Sequence, residues 1–577
     1  MKKLLTFVLM IPVLAFADIR LLPLGSAANT SFADETAGDQ QGGWIDLGRN
    51  DLRMMPLEEL TAGGVPFSVQ AAEGKTCIVL GGPTRAYLPK TAALDAPADT
   101  KGKFLYLLHA AAFPPALNEV AGLLTVEFAS GRPAEFRVRF GRDVADWLKP
   151  TGYSNAARAW TTHNGTAQVS LFASKFALRD EAVRRIRFEA QEATWMIVGA
   201  SIGDDTPFRP ILPEFKVTRT FVSPPPLTAP LPTATNDAAP RNVILIVGDG
   251  MGAGAKKLTS LNQHREDGKL IMQQLPFAGL CTTYPFGAEV TDSASAATAF
   301  GCGHKTKNGM IGQLPNGKAV ESIATEAKRA GRSVALITTD GISYATPAAF
   351  YAHVGGRGSH QEIVDFLPGC GFDVLVGNAG SLPYFLPAAQ RGSRTDARNV
   401  LAEMKEKGYV QVSTVAEFLN APADKPTLGF MDLKTELATE ACLSEILEFT
   451  IRRFEKNPKG FFVMLEGDQP DKAGHANNAN LTILGTIQTD WATRTAVEYA
   501  RTNSDTLVIV TSDHETGGLN VNMSYGTQEM TILYTSTSHT SAPVAIYAFG
   551  PGAHRFTGII DNTDIAKTIR ALLKSSD

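Results

Sequence analysis

Ser293 stands between an acid and a run of very small side chains in VTDSASAATAFGCGHKT, residues 290–306. Asp292-Ser293 ahead of a helix-forming run reads as a helix start, which puts the serine in the positive end of a helix dipole. Such a serine can simply cap the helix. As a nucleophile it lacks the usual help, because no GxSxG elbow surrounds it and no histidine stands beside it to act as a base. Activation has to come from elsewhere in the chain. The residues just past three strand-like runs supply candidates: Asp249 after VILIVG, Glu466 after FFVML, and Asp513-His514 after LVIVTS. Two further segments add Asp471 with His475 in DQPDKAGH, and His539 in TSTSHTSAP. Taken singly, an Asp at a strand end is a turn former or cap, and a lone histidine is a hydrogen-bonded surface residue. Gathered at one edge of one sheet, three histidines and several carboxylates offer nitrogen and oxygen ligands that suit zinc with a nearby magnesium rather than a redox metal. The stretch GDGMGAG, residues 248–254, has a dinucleotide-loop look, but Asp249 would repel an approaching pyrophosphate; a metal between the two reverses the sign.

Those residues need a sheet whose strands end together. RNVILIVGDGMG, GRSVALITT, KGFFVMLEGD, DTLVIVTSD and APVAIYAFG carry continuous apolar runs, and they alternate with helical stretches such as VESIATEAKRAG and TDIAKTIRALLKSS. This pattern predicts a largely parallel sheet covered by helices on both faces, with the working residues just beyond the strand carboxyl ends. Ahead of it, SPPPLTAPLPTATNDAAP, residues 223–240, is too rich in proline for helix or sheet and reads as an extended linker. Residues 18–222 carry short alternating runs instead. In EFRVRF, Phe136, Val138 and Phe140 face inward while Arg137 and Arg139 face water, the period of a half-buried strand. Many such runs separated by turns predict an antiparallel β-sandwich. Trp44, Trp147, Trp160 and Trp195 lie in this segment, with core packing as their default role. Trp147, Tyr153 and Trp160 occupy a polar, loop-like stretch and offer an exposed aromatic platform for a sugar ring.

At 577 residues, with 44% hydrophobic and 19% charged side chains, the chain has ample material for more than one core. A net charge of −4 gives no sign of a broad nucleic-acid or anionic-membrane surface. MKKLLTFVLMIPVLAFA, residues 1–17, joins two lysines, a short apolar run and an A-x-A site, and reads as an export signal cleaved after Ala17. No later stretch is apolar enough to span a membrane, so the expectation is a periplasmic or secreted protein. Cys77, Cys281, Cys302, Cys370 and Cys442 are widely spaced and contain no CxxC, so neither a disulfide scaffold nor a thiolate metal site is indicated.

In chain order, GDGMG, TDSASAATAFGCGHKT, ATPAAFYAHVGGR, EGDQPDKAGH, TSDHETGG and SHTSAPVAIYAFGPGA resemble the successive motifs of the alkaline phosphatase family over residues 241–577. The resemblance implies a secreted, metal-dependent phosphomonoesterase on a three-layer α/β/α sandwich. It makes Ser293 the nucleophile, phosphorylated in a covalent intermediate. Asp249, Asp513 and His514 would hold one zinc that also touches Ser293, and Asp471, His475 and His539 a second. Thr346 and Glu466, with Asp249 as a bridge, would hold a magnesium; Arg357 would clamp two phosphate oxygens, and Lys472 would reach phosphate through water. Where the family places an acid or a histidine near the third ion, this chain has Tyr344, and a neutral phenol ligates magnesium poorly, so that ion is expected to bind weakly. A formylglycine sulfatase needs a C/S-x-P-x-R context that Ser293 lacks, and Arg357 favours a monoester over a phosphodiester. An inactive surface carbohydrate-binding protein is the alternative of another class, and the complete zinc ligand set argues against it. The N-terminal part loosely resembles galactose-binding-like modules, which leaves polysaccharide as a candidate partner there.

Overall fold

A computed structural model describes residues 19–40, 43–148, 155–164, 167–208, 217–432, 438–524 and 529–574. The chain forms two compact units, Met1–Pro213 and Glu214–Asp577. The expected export signal lies outside the described residues, as does Tyr153.

The first unit is built from antiparallel sheets. One runs in the order Thr91–Asp95, Val183–Ala190, Val120–Phe128, Ala134–Arg139; the other runs Ile19–Leu22, Thr194–Gly203, Phe104–Ala112, Gln168–Ala177, Ala156–His163. Between them Leu124, Val126, Ile186 and Phe188 meet Leu105, Leu107, Trp195 and Ile197. The second sheet is covered on its other face as well, by Phe32, Trp44, Phe67 and Trp147 packed on Tyr106, Leu108, Phe172 and Met196. Thr194–Gly203 is consequently buried at every position, so its continuous apolar run reflects two covered faces rather than a parallel sheet. This layer also corrects the expected sugar platform. Trp147 is only 1% exposed and packs edge-on against Trp44 at 5.8 Å, so it presents no face to a ligand.

The second unit centres on ten strands: β1 Asn242–Gly248, β2 Phe277–Thr282, β3 Ser333–Thr338, β4 Val374–Asn378, β5 Val410–Val412, β6 Thr427–Met431, β7 Phe461–Gly467, β8 Thr506–Thr511, β9 Val544–Phe549 and β10 Gly558–Asp561. Their order is β5-β6-β4-β3-β7-β1-β8-β9-β2-β10, with only β9 antiparallel to its neighbours. Alternate residues of β1 serve different cores. Val243, Leu245 and Val247 pack with the helix Ser293–Cys302, while Ile244 and Ile246 pack with the helices Cys442–Phe454 and Ala479–Thr502. The architecture is therefore the expected three-layer α/β/α sandwich.

The proline-rich stretch belongs to this unit and lies along the helix Ala479–Thr502. Trp491 Nε1 donates to Val222 O at 2.9 Å, Arg494 Nε donates to Pro225 O at 2.8 Å, and Thr228 Oγ1 donates to Glu498 at 3.0 Å. Positions 491, 494 and 498 share one helix face, so side chains supply the partners that an extended backbone cannot find within itself. All five cysteines are free thiols. Among the described residues no helix is long and apolar enough to cross a membrane.

Candidate active site

The carboxyl ends of β1, β7 and β8 deliver Asp249, Glu466 and Asp513-His514 to one place. β1 ends in a turn at Gly250, whose φ of +66° suits glycine; a Cβ there would lie 2.6 Å from Asp471 Cα. The turn also lets Gly250 N donate to Asp513 Oδ1 at 3.0 Å, tying the β1 and β8 ends together. Ser293 opens the helix Ser293–Cys302 but is not its cap. Asp292 is, accepting from Ser295 N at 3.0 Å. Ser293 is thereby the first helical residue, 4% exposed, with Oγ 3.3 Å from His514 Nε2.

Two ligand clusters flank that serine. In one, His514 Nε2 lies 3.0 Å from Asp513 Oδ2 and 3.6 Å from Asp249 Oδ1. In the other, Asp471 lies 3.3 Å from both His475 Nε2 and His539 Nε2, which are 3.2 Å apart. His514 and His539 stack at 3.5 Å, so the clusters adjoin. The tautomers follow from the outer contacts. His475 Nδ1 donates to Thr537 O at 2.7 Å and His539 Nδ1 to Thr291 O at 2.8 Å, which leaves both Nε2 lone pairs facing each other and a carboxylate. That arrangement is repulsive unless a proton or a cation sits between them. Asp249 Oδ1, Asp513 Oδ2 and Thr346 Oγ1 are likewise buried without hydrogen-bond partners. Orphaned oxygens and converging nitrogens of these types fit divalent cations of the zinc kind.

Electrostatics point the same way. Burial, with the charges of Asp513 and Asp471, pushes the Asp249 carboxyl well above its usual range. Burial and Asp340 push Glu466 up to about 7 and raise Asp468 as well. The hydrogen bond to Asp471 pushes His475 up to about 9. Burial works against the charge of Asp471, yet its bonds to His475 and His539 hold it below the carboxylate range. So many buried acids in one place call for cations.

Around the expected third ion, Glu466 accepts from Thr338 Oγ1 at 2.5 Å, and Thr346 Oγ1 lies near enough to favour the charged form of Glu466 without a well-formed hydrogen bond. The Tyr344 ring lies tilted against His360, with centroids 4.7 Å apart, and occupies the space left by Gly341. Lys472 Nζ is clasped by Asp340 Oδ1 at 2.8 Å and Asp468 Oδ2 at 2.6 Å. Arg357 Nη1 donates to Asp292 Oδ2 at 3.1 Å, and Gly309 N holds the same oxygen at 2.9 Å.

The residues expected to form the catalytic and metal sites thus lie in this region, in three linked groups: the two histidine–aspartate clusters with Ser293, the Glu466–Thr346 pair, and the flanking cations Arg357 and Lys472. Sequence reasoning missed Asp340, Asp468 and the tether from Asp292 to Arg357. Asp340 had a signal, since it follows ITT at the end of β3 as Asp249 follows β1.

A largely parallel sheet carrying adjoining histidine–aspartate clusters beside a helix-opening serine offers the ligand types and nucleophile that suit a metal-dependent hydrolase. The chain belongs to the alkaline phosphatase family, whose profile matches residues 240–533 and 520–575, and it is a phosphoric monoester hydrolase. Alkaline phosphatase 4 of Bacillus subtilis (strain 168) is 30% identical over 421 residues, covering 58% of this chain and 89% of its own. Alkaline phosphatase of Escherichia coli (strain K12) is 29% identical over 426 residues, covering 60% and 88%. The solved alkaline phosphatase of the Antarctic bacterium TAB5 is 32% identical with a TM-score of 0.52, covering 58% of this chain and 98% of that one. A mutant of that enzyme has been solved with magnesium bound in its M3 site.

Proposed function

We propose that this chain is an exported phosphomonoesterase that requires two zinc ions and works through a phosphoserine at Ser293. Asp249, Asp513 and His514 hold one zinc beside Ser293, and Asp471, His475 and His539 hold the other. Asp249, Thr346 and Glu466 hold a magnesium more weakly, since Tyr344 brings no ligand. When bound, such ions lower the pKa of a coordinated hydroxyl or water and neutralise charge on the phosphoryl oxygens.

Ser293 Oγ forms the new bond to phosphorus as the ester P–O bond breaks, and the alcohol leaves with a proton. Water then cleaves the phosphoserine, returning the serine hydroxyl and releasing phosphate. The amino end of the helix Ser293–Cys302 favours negative charge on Oγ. Arg357, steadied by Asp292, presents a planar fork to two phosphoryl oxygens, a geometry that an ammonium cannot match. Lys472 is held by Asp340 and Asp468 with 41% of its side chain exposed, free to meet phosphate through water. Export is supported by the lysine-led apolar run and A-x-A site of residues 1–17.

The observation that carries this reading is the convergence of His475 Nε2, His539 Nε2 and the partnerless oxygens of Asp249 and Asp513 around Ser293. Hydrolysis of a phosphomonoester, a phosphodiester and a sulfate ester, measured side by side with and without chelator, tests it. The monoester should be cleaved faster by several orders of magnitude, with activity lost to chelator and restored by zinc. Preferential cleavage of the sulfate ester or the diester would overturn it.

A further inference from the structure

We propose that the N-terminal unit binds an acidic saccharide, bearing carboxylate or sulfate groups, in a cleft between the edges of its two sheets. Ala134–Arg139 is the edge strand of the four-stranded sheet, and Gln168–Ala177 and Ala156–His163 close the corresponding side of the other. Between them lies a cleft of about 540 Å³, within the size range of small-ligand sites. In a chain of net charge −4, Arg137, Arg139, Arg142 and Lys175 all line this cleft. The facing acids are Glu135 and Asp143.

Asp143 is spent on holding its neighbours. It is fully buried and accepts from Arg142 Nε at 3.0 Å, Arg142 Nη2 at 2.8 Å, Asn155 Nδ2 at 2.8 Å and Arg139 N at 2.8 Å. A buried carboxylate is costly unless paired. Here its pairing fixes a guanidinium that keeps 46% of its side chain exposed, so the Arg142 fork is oriented before any ligand arrives. Lys175 pairs with Asp205 and lies over the Phe104 ring at 5.1 Å, and Arg139 Nη1 donates to Asn118 O at 2.7 Å. Arg137 lines the cleft, is exposed, and has no ion pair among the described residues. Subtracting the Arg142–Asp143 and Lys175–Asp205 pairs leaves two guanidinium groups against Glu135, an excess of positive charge.

The floor is apolar. Phe136, half-buried, packs on Phe176 with ring centroids 5.5 Å apart. A cleft lined by both guanidinium groups and aromatic rings suits a ligand that is an oxyanion on one side and a C–H-rich ring on another. The basic groups cluster in one cleft and form no stripe that could track a phosphate backbone, which favours a saccharide over a nucleic acid.

Affinity electrophoresis of the full-length protein at about 0.15 M salt, where long-range attraction is screened, tests the proposal. The gels contain polygalacturonate, dextran sulfate, neutral dextran or single-stranded DNA. Retardation by polygalacturonate assigns the ligand to uronates, retardation by dextran sulfate to sulfated sugars, and neutral dextran should give none. Arg142→Ala should weaken binding by about 10 to 100-fold, the worth of a charge-assisted hydrogen-bond pair. Arg137→Glu removes a cation that has no ion pair, so it should weaken binding as much while phosphatase turnover stays at the wild-type value. Retardation by neither acidic polymer, retardation unchanged in Arg137→Glu, or DNA binding as strong as polysaccharide binding would overturn the proposal.

Discussion

Replacing Lys472 with methionine should destabilise the metal-free enzyme, because it leaves Asp340 and Asp468 facing each other without their shared cation. At an effective dielectric of about 20, attraction across the 2.8 Å and 2.6 Å contacts is on the order of 6 kcal/mol each before desolvation. The lysine side chain is 41% exposed, so solvent screening and the cost of burying charge reduce the net loss to ~2–3 kcal/mol. The pH dependence has a definite sign. Burial and Asp340 raise the folded-state pKa of Asp468 above its unfolded value, so its ionisation costs folding stability as pH rises through the folded value. Without the lysine that cost grows, and the deficit should be largest near about pH 8 and shrink on acidification as Asp468 takes up a proton. Magnesium should recover part of it by supplying the missing charge. Urea unfolding of metal-stripped wild type and Lys472→Met, followed by circular dichroism with and without magnesium, measures all three effects. Coincident midpoints at about pH 8, or a gap that widens on acidification, would refute the reasoning.

Gly250→Ala places a methyl carbon 2.6 Å from Asp471 Cα at a φ of +66°, and should cost ~2–4 kcal/mol from strain and overpacking. Zinc retained after dialysis should fall well below the wild-type content; equal content would contradict the claim that this turn sets the spacing of the clusters. For His475, pushed up to about 9 by Asp471, proton and cation compete for the same nitrogen, so zinc affinity should fall toward tenfold per unit as pH drops below about 9. The metal-free protein should show the opposite trend, since stability from a raised histidine pKa is present below about 6.5 and lost as pH rises through about 9. Chelator-competition titrations between about pH 6 and about pH 9 check the first trend, and a flat zinc affinity would contradict it.

The catalytic sheet was legible because each of its central strands is buried on both faces and ends in a chemically distinctive residue. Reading to the carboxyl ends of β1, β7 and β8 was enough to find Asp249, Glu466, Asp513 and His514. The same reading past β3 reaches Asp340, but a single aspartate after two threonines looks like an ordinary turn until Lys472 and Asp468 meet it through tertiary contacts. Asp292 was visible only as a helix start, and its second role depends on Arg357, distant in sequence. Trp147 misled because its flanks are polar. What buries it is a layer of loops and one short hairpin carrying Phe32, Trp44 and Phe67, too short and irregular to announce by periodicity that it covers a sheet. The proline-rich stretch showed an extended backbone, but its contacts with Trp491, Arg494 and Glu498 depend on the exposed face of a helix far along the chain.

The central claim is that Ser293 carries the phosphoryl group. Zinc-loaded enzyme incubated with labelled substrate, quenched in acid and mapped by peptide mass spectrometry tests it most directly. The account predicts phosphate on Ser293 alone, absent in Ser293→Ala, whose zinc content stays near wild type because six other side chains form the two clusters. Phosphate on another residue, or full turnover by Ser293→Ala, would contradict it.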